Sequence, residues 1–332
     1  MSELSTKRVF VTREHIIPEA IAHLRQFVEV EVWPERSAPP REVILRKALE
    51  SDGMITEITD QVDKELLDQA PRLKVVANRA VGMDNIDIGE ATKHGVLVSN
   101  TPGVLHESCA DFTFGLMLSV ARNIAFGDRR IRAGEWKVFD QIPYLGTDVH
   151  GATLGIIGMG LIGTAVARRA QAFDMRVLYH SRSRKPEVED RLGVEWRPDM
   201  DGLLGESDFV SLHVPLTADT ERIIGRRELD LMQPHSFLIN TTRGPTVDPV
   251  ALYEAVKTGK IAGAALDVTD PEPIPIGDPL LTLPNVVISP HIASASSSTV
   301  KKMGELTVQN VVGALAGTAK PSCLNPKAAA NR

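Results

Sequence analysis

Cysteine is scarce in this sequence, and that scarcity excludes two kinds of protein. The 332 residues contain only two cysteines, Cys109 and Cys323. Two thiols so far apart cannot supply a disulfide framework, and they lack the spacing of a structural zinc site. We therefore expect no metal centre, and we expect the chain to reside in a reducing compartment, the cytoplasm.

Long apolar runs and long basic runs are missing as well. No stretch approaches the roughly 18 apolar residues of a membrane-spanning helix, and the N-terminal residues lack the apolar core of a signal peptide. The net charge is -6, without an extended block of lysine and arginine. We therefore expect a soluble protein that binds neither membranes nor nucleic acid.

Short apolar runs alternate with helical segments along the chain. Arg8–Val11 and Leu73–Ala77 are typical of strands, and Pro39–Glu50 is typical of a helix. The same alternation returns from Thr153 to Ile288, whereas residues 132–151 form a long irregular stretch. This pattern favours an α/β fold with two doubly wound parallel sheets, and the length suits about two domains.

A glycine-rich turn follows the apolar run Thr153–Ile157. Its six residues are Gly158, Met159, Gly160, Leu161, Ile162 and Gly163. A strand before the turn and a helix after it are the context in which such glycines hold a dinucleotide pyrophosphate at the helix N-terminus. The alternative is an ordinary strand-to-helix turn, as in flavodoxin-like proteins, that binds no nucleotide.

The acidic residue that normally selects NAD is absent from the end of the next strand. About 20 residues after the turn, NAD-binding units carry Asp or Glu for the ribose 2′-hydroxyl. This sequence instead has His180, Ser181, Arg182, Ser183 and Arg184. Arginine forms charge-assisted bonds to a 2′-phosphate, so we predict NADP(H) over NAD(H), with NAD as a possible second cofactor. The alternative is a solvated basic loop.

Four polar residues lie within a few residues after later predicted strands. Arg243 follows Phe237–Ile239, Asp267 and Glu272 follow Ala264–Leu266, and His291 follows Val286–Ile288. The carboxyl ends of parallel strands share one edge, where open α/β sheets bind ligands. An arginine can grip a carboxylate and a histidine can deliver a proton, while a glutamate stabilises the imidazolium form. These residues therefore predict hydride transfer to a 2-oxo acid.

Each of these residues also has a purely structural interpretation. His291 after a proline could be an ordinary structural histidine, and Glu272 between two prolines could be a solvated loop acid. Arg243 could form an ion pair with Asp248 or Asp267. Asp267 could simply cap or anchor a loop. The combination is less likely to arise by chance than any single member.

Several motifs resemble those of the D-isomer-specific 2-hydroxyacid dehydrogenases, over nearly the whole chain. They comprise Val75–Asp87, the glycine turn, Ile239–Gly244, Ala265–Val268 and Ser289–Ile292. Within that family the chain is most similar to glyoxylate/hydroxypyruvate reductases. It departs from the family in having Thr269 where Phe is frequent and Ala293 where Gly is frequent, which leaves the pocket shape open.

The resemblance implies a role for each site residue. Arg243 would bind substrate, Glu272 would support His291, and His291 would be the proton donor. The backbone at Val81 and Gly82 would receive the substrate carboxylate. The remaining residues would contact the cofactor, with Asp267 at the nicotinamide carboxamide: His213, Val214, Pro215, Thr241, Thr242, Asp267 and Ala293.

The resemblance also implies a domain plan and an assembly. A flavodoxin-like substrate domain would comprise residues 1–102 and 292–332, and a Rossmann cofactor domain residues 103–291, with a cleft between them. Two copies would form a homodimer through the arm 132–151. Rival functions are a 3-phosphoglycerate or other D-2-hydroxyacid dehydrogenase and, from another class, a nucleotide-sensing protein similar to the co-repressors of this fold.

Overall fold

The computed structural model of the chain describes residues 3–13, 18–318 and 321–331. Over these residues the strands, in chain order, are β1 Arg8–Val11, β2 Glu29–Val32, β3 Gly53–Thr56, β4 Val75–Asn78, β5 Leu97–Ser99, β6 Thr153–Ile157, β7 Arg176–His180, β8 Glu195–Trp196, β9 Phe209–Leu212, β10 Phe237–Asn240, β11 Gly263–Leu266 and β12 Val286–Ile288. The helices are α1 Pro18–Leu24, α2 Arg41–Glu50, α3 Lys64–Gln69, α4 Ile88–Lys93, α5 His106–Ala121, α6 Ile124–Arg132, α7 Leu161–Ala170, α8 Pro186–Leu192, α9 Met200–Glu206, α10 Arg226–Leu231, α11 Pro249–Lys257 and α12 Ser297–Leu315.

The chain divides into two compact units, each with its own parallel sheet. The first comprises Met1–Leu105 and Ala295–Arg332, and the second comprises His106–Ser294. These boundaries fall at 105/106 and 294/295, a few residues beyond the predicted 102/103 and 291/292. The first boundary coincides with the start of α5 at His106, and the second lies just before α12, which begins at Ser297.

The first unit is built on a five-stranded sheet in the order β2-β1-β3-β4-β5. Strands β3, β4 and β5 are buried along their full length, as expected where helices cover both faces. Helix α12 packs against α1 and β4, so the C-terminal part of the chain completes this unit. The Asn325 side chain fastens that part to β5 by accepting from Val98 N at 2.7 Å.

The second unit is built on a seven-stranded sheet in the order β12-β11-β10-β9-β6-β7-β8. Every strand pair in it is parallel. The chain order reverses between β6 and β9, which makes that point the topological switch where open α/β sheets bind nucleotides. The apolar helix α5 packs on β10, β11 and α7 and contributes to the core on one face of the sheet.

The predicted fold class is confirmed, and the differences lie in the bounds of several elements and in elements that were not predicted. Helix α2 begins at Arg41 rather than at Pro39, and β4 spans Val75–Asn78 rather than Leu73–Ala77. Helix α6 was not predicted, because it buries none of its own residues and so lacks an apolar face directed at a core. The stretch that follows it is irregular apart from a 3-10 turn at Ile142–Tyr144.

No helix in the described part of the chain has the length and apolar character needed to cross a bilayer.

Candidate active site

The glycine turn lies between β6 and α7, and two of its glycines are required by close backbone packing. Gly158 has φ +102°, and a Cβ there would lie 2.5 Å from the His213 carbonyl oxygen. A Cβ on Gly163 would collide with the carbonyl oxygen of Gly158. Gly160 differs, because a Cβ there would meet no atom within 4 Å. The turn is thus tight on its protein side and open at Gly160, where a pyrophosphate can approach the first amides of α7.

The other residues of the turn take structural positions. Met159 is buried in the core, whereas Leu161 is exposed and Ile162 packs at the core edge. Gly160 is the N-cap of α7 and has no side chain to satisfy the helix amides. The N-terminus of α7 is therefore free for an anionic ligand, and the residues present fit a dinucleotide.

The two arginines after β7, Arg182 and Arg184, differ in their contacts with the protein. Arg184 donates to Glu189 through Nε at 2.9 Å and Nη2 at 2.7 Å, and its guanidinium lies 5.6 Å from the centre of the Trp196 ring. Arg182 is exposed and has no hydrogen bond or ion pair within the described residues. Of the two arginines, Arg182 is therefore the one whose guanidinium N–H groups are all available to bind a phosphate.

The polar residues around these arginines bond to backbone. The Ser181 hydroxyl donates to the Ser183 carbonyl at 2.7 Å, and His180 Nδ1 lies 3.0 Å from the Arg197 carbonyl. These hydrogen bonds fix the conformation of the loop, and they do not involve the exposed side chain of Arg182.

His213 braces the glycine turn from the neighbouring strand end. Its carbonyl packs against Gly158, and its Nε2 lies 2.9 Å from the Ser211 hydroxyl. Burial lowers the pKa of His213 to about 3, so its imidazole is neutral at pH 7. Its buried Nδ1 has no hydrogen-bond partner within the described residues. Val214 also lies against Gly158, and the Pro215 carbonyl accepts from Thr220, so this segment supports the turn.

His291 and Glu272 meet after β12 and β11. His291 Nδ1 lies 2.5 Å from Glu272 Oε1, and both side chains remain partly exposed. A carboxylate can only accept, so Nδ1 is the nitrogen that carries the hydrogen in this bond. Nε2 makes no hydrogen bond within the described residues, which is the arrangement of an oriented acid–base histidine.

Asp267 anchors the loop that carries His291. Its carboxylate accepts from the Ser289 hydroxyl at 2.6 Å and from the amides of Ile292 at 2.9 Å and Ala293 at 2.7 Å. Its carbonyl accepts from the His291 amide at 2.8 Å. His291 has φ +54°, a left-handed conformation that is rare for a residue with a side chain. Asp267 therefore holds the backbone on both sides of the strained histidine. This is the loop-anchoring role that the sequence analysis gave as an alternative for Asp267.

Arg243 begins the loop after β10, and backbone contact ties this loop to the Glu272 segment. A Cβ on the neighbouring Gly244 would collide with the Thr269 carbonyl, so the two loops touch through bare backbone. The Arg243 Nη1 donates to the Thr242 carbonyl at 2.8 Å. Asp248, one predicted ion-pair partner, caps α11 by accepting from Val250 N and Ala251 N.

Thr241, Thr242 and Ala293 also make defined contacts. Thr241 is buried, with its hydroxyl 3.2 Å from that of Thr113 on α5. The Thr242 hydroxyl and amide both donate to the Asn240 side chain. Ala293 is buried, and its carbonyl accepts from Ser108 on α5 at 3.0 Å. All three hold the loops at the carboxyl edge of the sheet.

In the first unit, two asparagines that were not predicted hold the Val81–Gly82 loop. Asn100 Nδ2 donates to the Val81 carbonyl and Asn78 Nδ2 to the Gly82 carbonyl, each at 3.0 Å. Within the described residues the amides of Val81 and Gly82 have no acceptor. The sequence signal was an asparagine directly after each of two apolar runs, which on its own is typical of an ordinary turn.

A Rossmann-type sheet, an open glycine turn at its switch point and an oriented histidine–carboxylate pair together define a nicotinamide-dependent oxidoreductase. Residues 114–293 match the family model of the D-isomer specific 2-hydroxyacid dehydrogenase, NAD binding domain. The glyoxylate reductase of Thermococcus litoralis is 49% identical over 323 residues, 96% of each chain. The chain therefore belongs to the D-isomer specific 2-hydroxyacid dehydrogenase family.

Solved structures agree with this assignment over nearly the whole chain. The TT0316 protein from Thermus thermophilus superposes with a TM-score of 0.90 at 44% identity, covering 96% of this chain and 99% of that one. An NADPH-dependent glyoxylate/hydroxypyruvate reductase from Sinorhizobium meliloti, in complex with NADP and malonate, has a TM-score of 0.85 at 32% identity and 97% coverage of both chains.

Proposed function

We propose that this protein is a cytoplasmic, NADPH-preferring reductase of glyoxylate, hydroxypyruvate or a related small 2-oxo acid, which it converts to the D-2-hydroxy acid. The observation that carries the proposal is the 2.5 Å bond between His291 Nδ1 and Glu272 Oε1, which leaves Nε2 as a proton donor. Several relatives at 45–49% identity bear the name glyoxylate reductase, which supports the substrate class. Both cysteines are free thiols, in keeping with a reducing compartment.

The residues divide the work of reducing a carbonyl. A nicotinamide held at the glycine turn would supply the hydride that the carbonyl carbon receives. Negative charge then develops on the carbonyl oxygen, and His291 Nε2 delivers a proton to it. Glu272 stabilises the imidazolium before that transfer, and Arg243 stabilises the developing charge while gripping the carboxylate.

The carboxylate of the substrate has a second set of donors in this proposal. The amides of Val81 and Gly82 have no acceptor within the described residues, whereas their carbonyls are held by Asn100 and Asn78. A loop whose carbonyls are fixed presents its amides without further ordering, so it binds an anion at low entropic cost. We infer that these amides receive the carboxylate.

The substrate assignment is tested by following NADPH oxidation with a panel of 2-oxo acids. We expect turnover of glyoxylate and hydroxypyruvate, with a D-configured product where the product is chiral. Chiral chromatography of glycerate formed from hydroxypyruvate measures that configuration. Folded, cofactor-binding protein that turns over none of the panel would exclude the proposal and favour the nucleotide-sensing alternative.

The preference for NADPH is assigned to Arg182. Arg184 is engaged with Glu189 and Trp196, whereas Arg182 has no protein partner within the described residues. The strand end carries no acid that would repel a 2′-phosphate. The Sinorhizobium meliloti neighbour, described as NADPH-dependent, supports the same preference.

We expect Arg182→Ala to lower kcat/KM for NADPH by about 10-fold or more, because it removes a charge-assisted bond to the phosphate. Its kcat/KM for NADH should stay near the wild-type value. Arg184→Ala is the matched control, and it should change the NADPH/NADH ratio less, since its guanidinium is held by Glu189. An unchanged ratio in Arg182→Ala would contradict the assignment.

We also propose that two copies associate through α6 and the stretch that follows it. This segment exposes several large apolar side chains, and a monomer rarely leaves so many in one sequence segment. They are Ile124, Ile131, Trp136, Val138, Phe139, Ile142 and Leu145. Burying this surface in a symmetric interface would stabilise a homodimer.

Light scattering should therefore give the mass of two chains for the wild type. The double variant Phe139→Asp/Ile142→Asp should give one chain, because it places two charges in the interface. Ile276→Asp is the control, since Ile276 is even more exposed than Phe139 and Ile142 but lies outside this segment. A monomeric wild type would refute the proposed dimer.

A further inference from the structure

A largely shielded ion pair in the first unit has no role in the chemistry described so far. Arg79 Nε lies 2.5 Å and Nη2 3.0 Å from the two carboxylate oxygens of Glu57, in a bidentate arrangement. Each side chain is 14% exposed. Glu57 directly follows β3 and Arg79 directly follows β4, and the last residues of those strands, Thr56 and Asn78, are register partners. The pair therefore lies at the carboxyl edge of the sheet.

Hydrogen bonds connect this pair to the loop that we infer binds the substrate carboxylate. Asn85 Nδ2 donates to the Glu57 carbonyl at 2.9 Å, and Asn78 Nδ2 donates to Asn85 Oδ1 at 3.1 Å. The same Asn78 nitrogen lies 3.0 Å from the Gly82 carbonyl. Arg79 also stands two residues before Val81 in the chain. The ion pair and the loop thus belong to one cluster of bonded groups.

The pair is not explained by stability alone. Burial raises the pKa of the Glu57 carboxyl, and the charge of Arg79 opposes that rise. Buried ion pairs can be replaced by apolar residues of similar volume with little or no loss of stability. A largely shielded ion pair beside a proposed binding loop is therefore a candidate for substrate recognition, as perturbed titratable groups often are.

The pair still has hydrogen-bonding capacity to offer. Within the described residues Arg79 Nη1 has no acceptor, and the Glu57 carboxylate accepts only from Arg79. A hydroxyl group can use both, because it accepts a hydrogen bond from the guanidinium while it donates one to the carboxylate. A methyl group can use neither, and it would desolvate both charges.

We propose that Glu57 and Arg79 are specificity-determining residues that select 2-oxo acids bearing a hydroxyl on C3 over those in which C3 is an unsubstituted methyl group. The class favoured is that of hydroxypyruvate, and the class disfavoured is that of pyruvate. This inference rests on the proposed function, because it requires the carboxylate to bind at Val81 and Gly82.

The test compares kcat/KM for hydroxypyruvate with kcat/KM for pyruvate, using NADPH. In the wild type we expect a ratio of about 100 or more, since a site built to bind a hydroxyl discriminates strongly against its absence. In Glu57→Leu/Arg79→Leu the ratio should fall by at least about 10-fold, the effect of losing hydrogen bonds to charged groups. The fall should come from hydroxypyruvate, with glyoxylate reduction close to wild type.

Asp52→Asn is the matched control. Asp52 is a buried acid of the same sheet, with Oδ2 3.3 Å from Arg72 and Oδ1 3.6 Å from Lys7, but it precedes β3 and so lies at the amino edge. It should lower the melting temperature and leave the ratio unchanged. Should the double variant fail to fold, Glu57→Gln keeps the side-chain shape and should still reduce the ratio several-fold.

The outcomes separate this inference from the proposed function. Turnover of 2-oxo acids with an unchanged ratio in the Glu57 and Arg79 variants overturns the inference alone. A wild-type protein with a higher kcat/KM for pyruvate than for hydroxypyruvate would also overturn the inference alone. No turnover of any 2-oxo acid overturns the proposed function, and the inference with it.

Discussion

The arrangement of the loops that carry Glu272 and His291 depends on the hydrogen bonds between Asp267 and the backbone around His291. A residue with a side chain costs about 1–3 kcal/mol to hold in the left-handed conformation that His291 adopts. A hydrogen bond from a backbone amide to a carboxylate contributes about 1.5–3 kcal/mol. Asp267 accepts two such hydrogen bonds, from the amides of Ile292 and Ala293. The anchor therefore outweighs the strain, and the histidine is held with Nδ1 against Glu272.

Close backbone contacts support the rest of the cofactor unit in a similar way. Gly244 brings the Arg243 loop onto the Thr269 carbonyl, and Gly158 brings the dinucleotide turn onto the His213 carbonyl. Neither position has room for a Cβ. Because the sheet is parallel, these loops all leave its carboxyl edge, and the bare glycines let them approach one another there.

The positions of several site residues could be predicted from the sequence, because the ends of the buried strands of a parallel sheet can be recognised from their apolar runs. Glu272 and His291 were each placed after an apolar run, and the structure brings them into hydrogen-bonding contact. The strands that precede the glycine turn and Arg243 were found within one residue of their bounds. The role of Asp267 stayed open, since only coordinates show that its carboxylate is used by the next loop.

Other features could not be predicted from the sequence, because they depend on contacts that form only in the folded chain. The two arginines after β7 are equivalent in sequence, and their difference arises from Glu189 and Trp196, which the fold brings to Arg184. Asn78 and Asn100 are ordinary turn residues until their side chains are seen on the Val81–Gly82 carbonyls. The Glu57–Arg79 pair depends on the register of β3 and β4, which no local pattern reveals.

The central claim is that His291 delivers the proton, and the most direct measurement is the kcat of His291→Gln at saturating NADPH with the best 2-oxo acid. Cofactor affinity, measured by NADPH fluorescence, serves as the check that the cofactor unit is intact. We predict a fall in kcat of at least about 100-fold, the usual contribution of a general acid, with the Kd for NADPH nearly unchanged. A variant that binds NADPH and retains wild-type kcat would contradict the account.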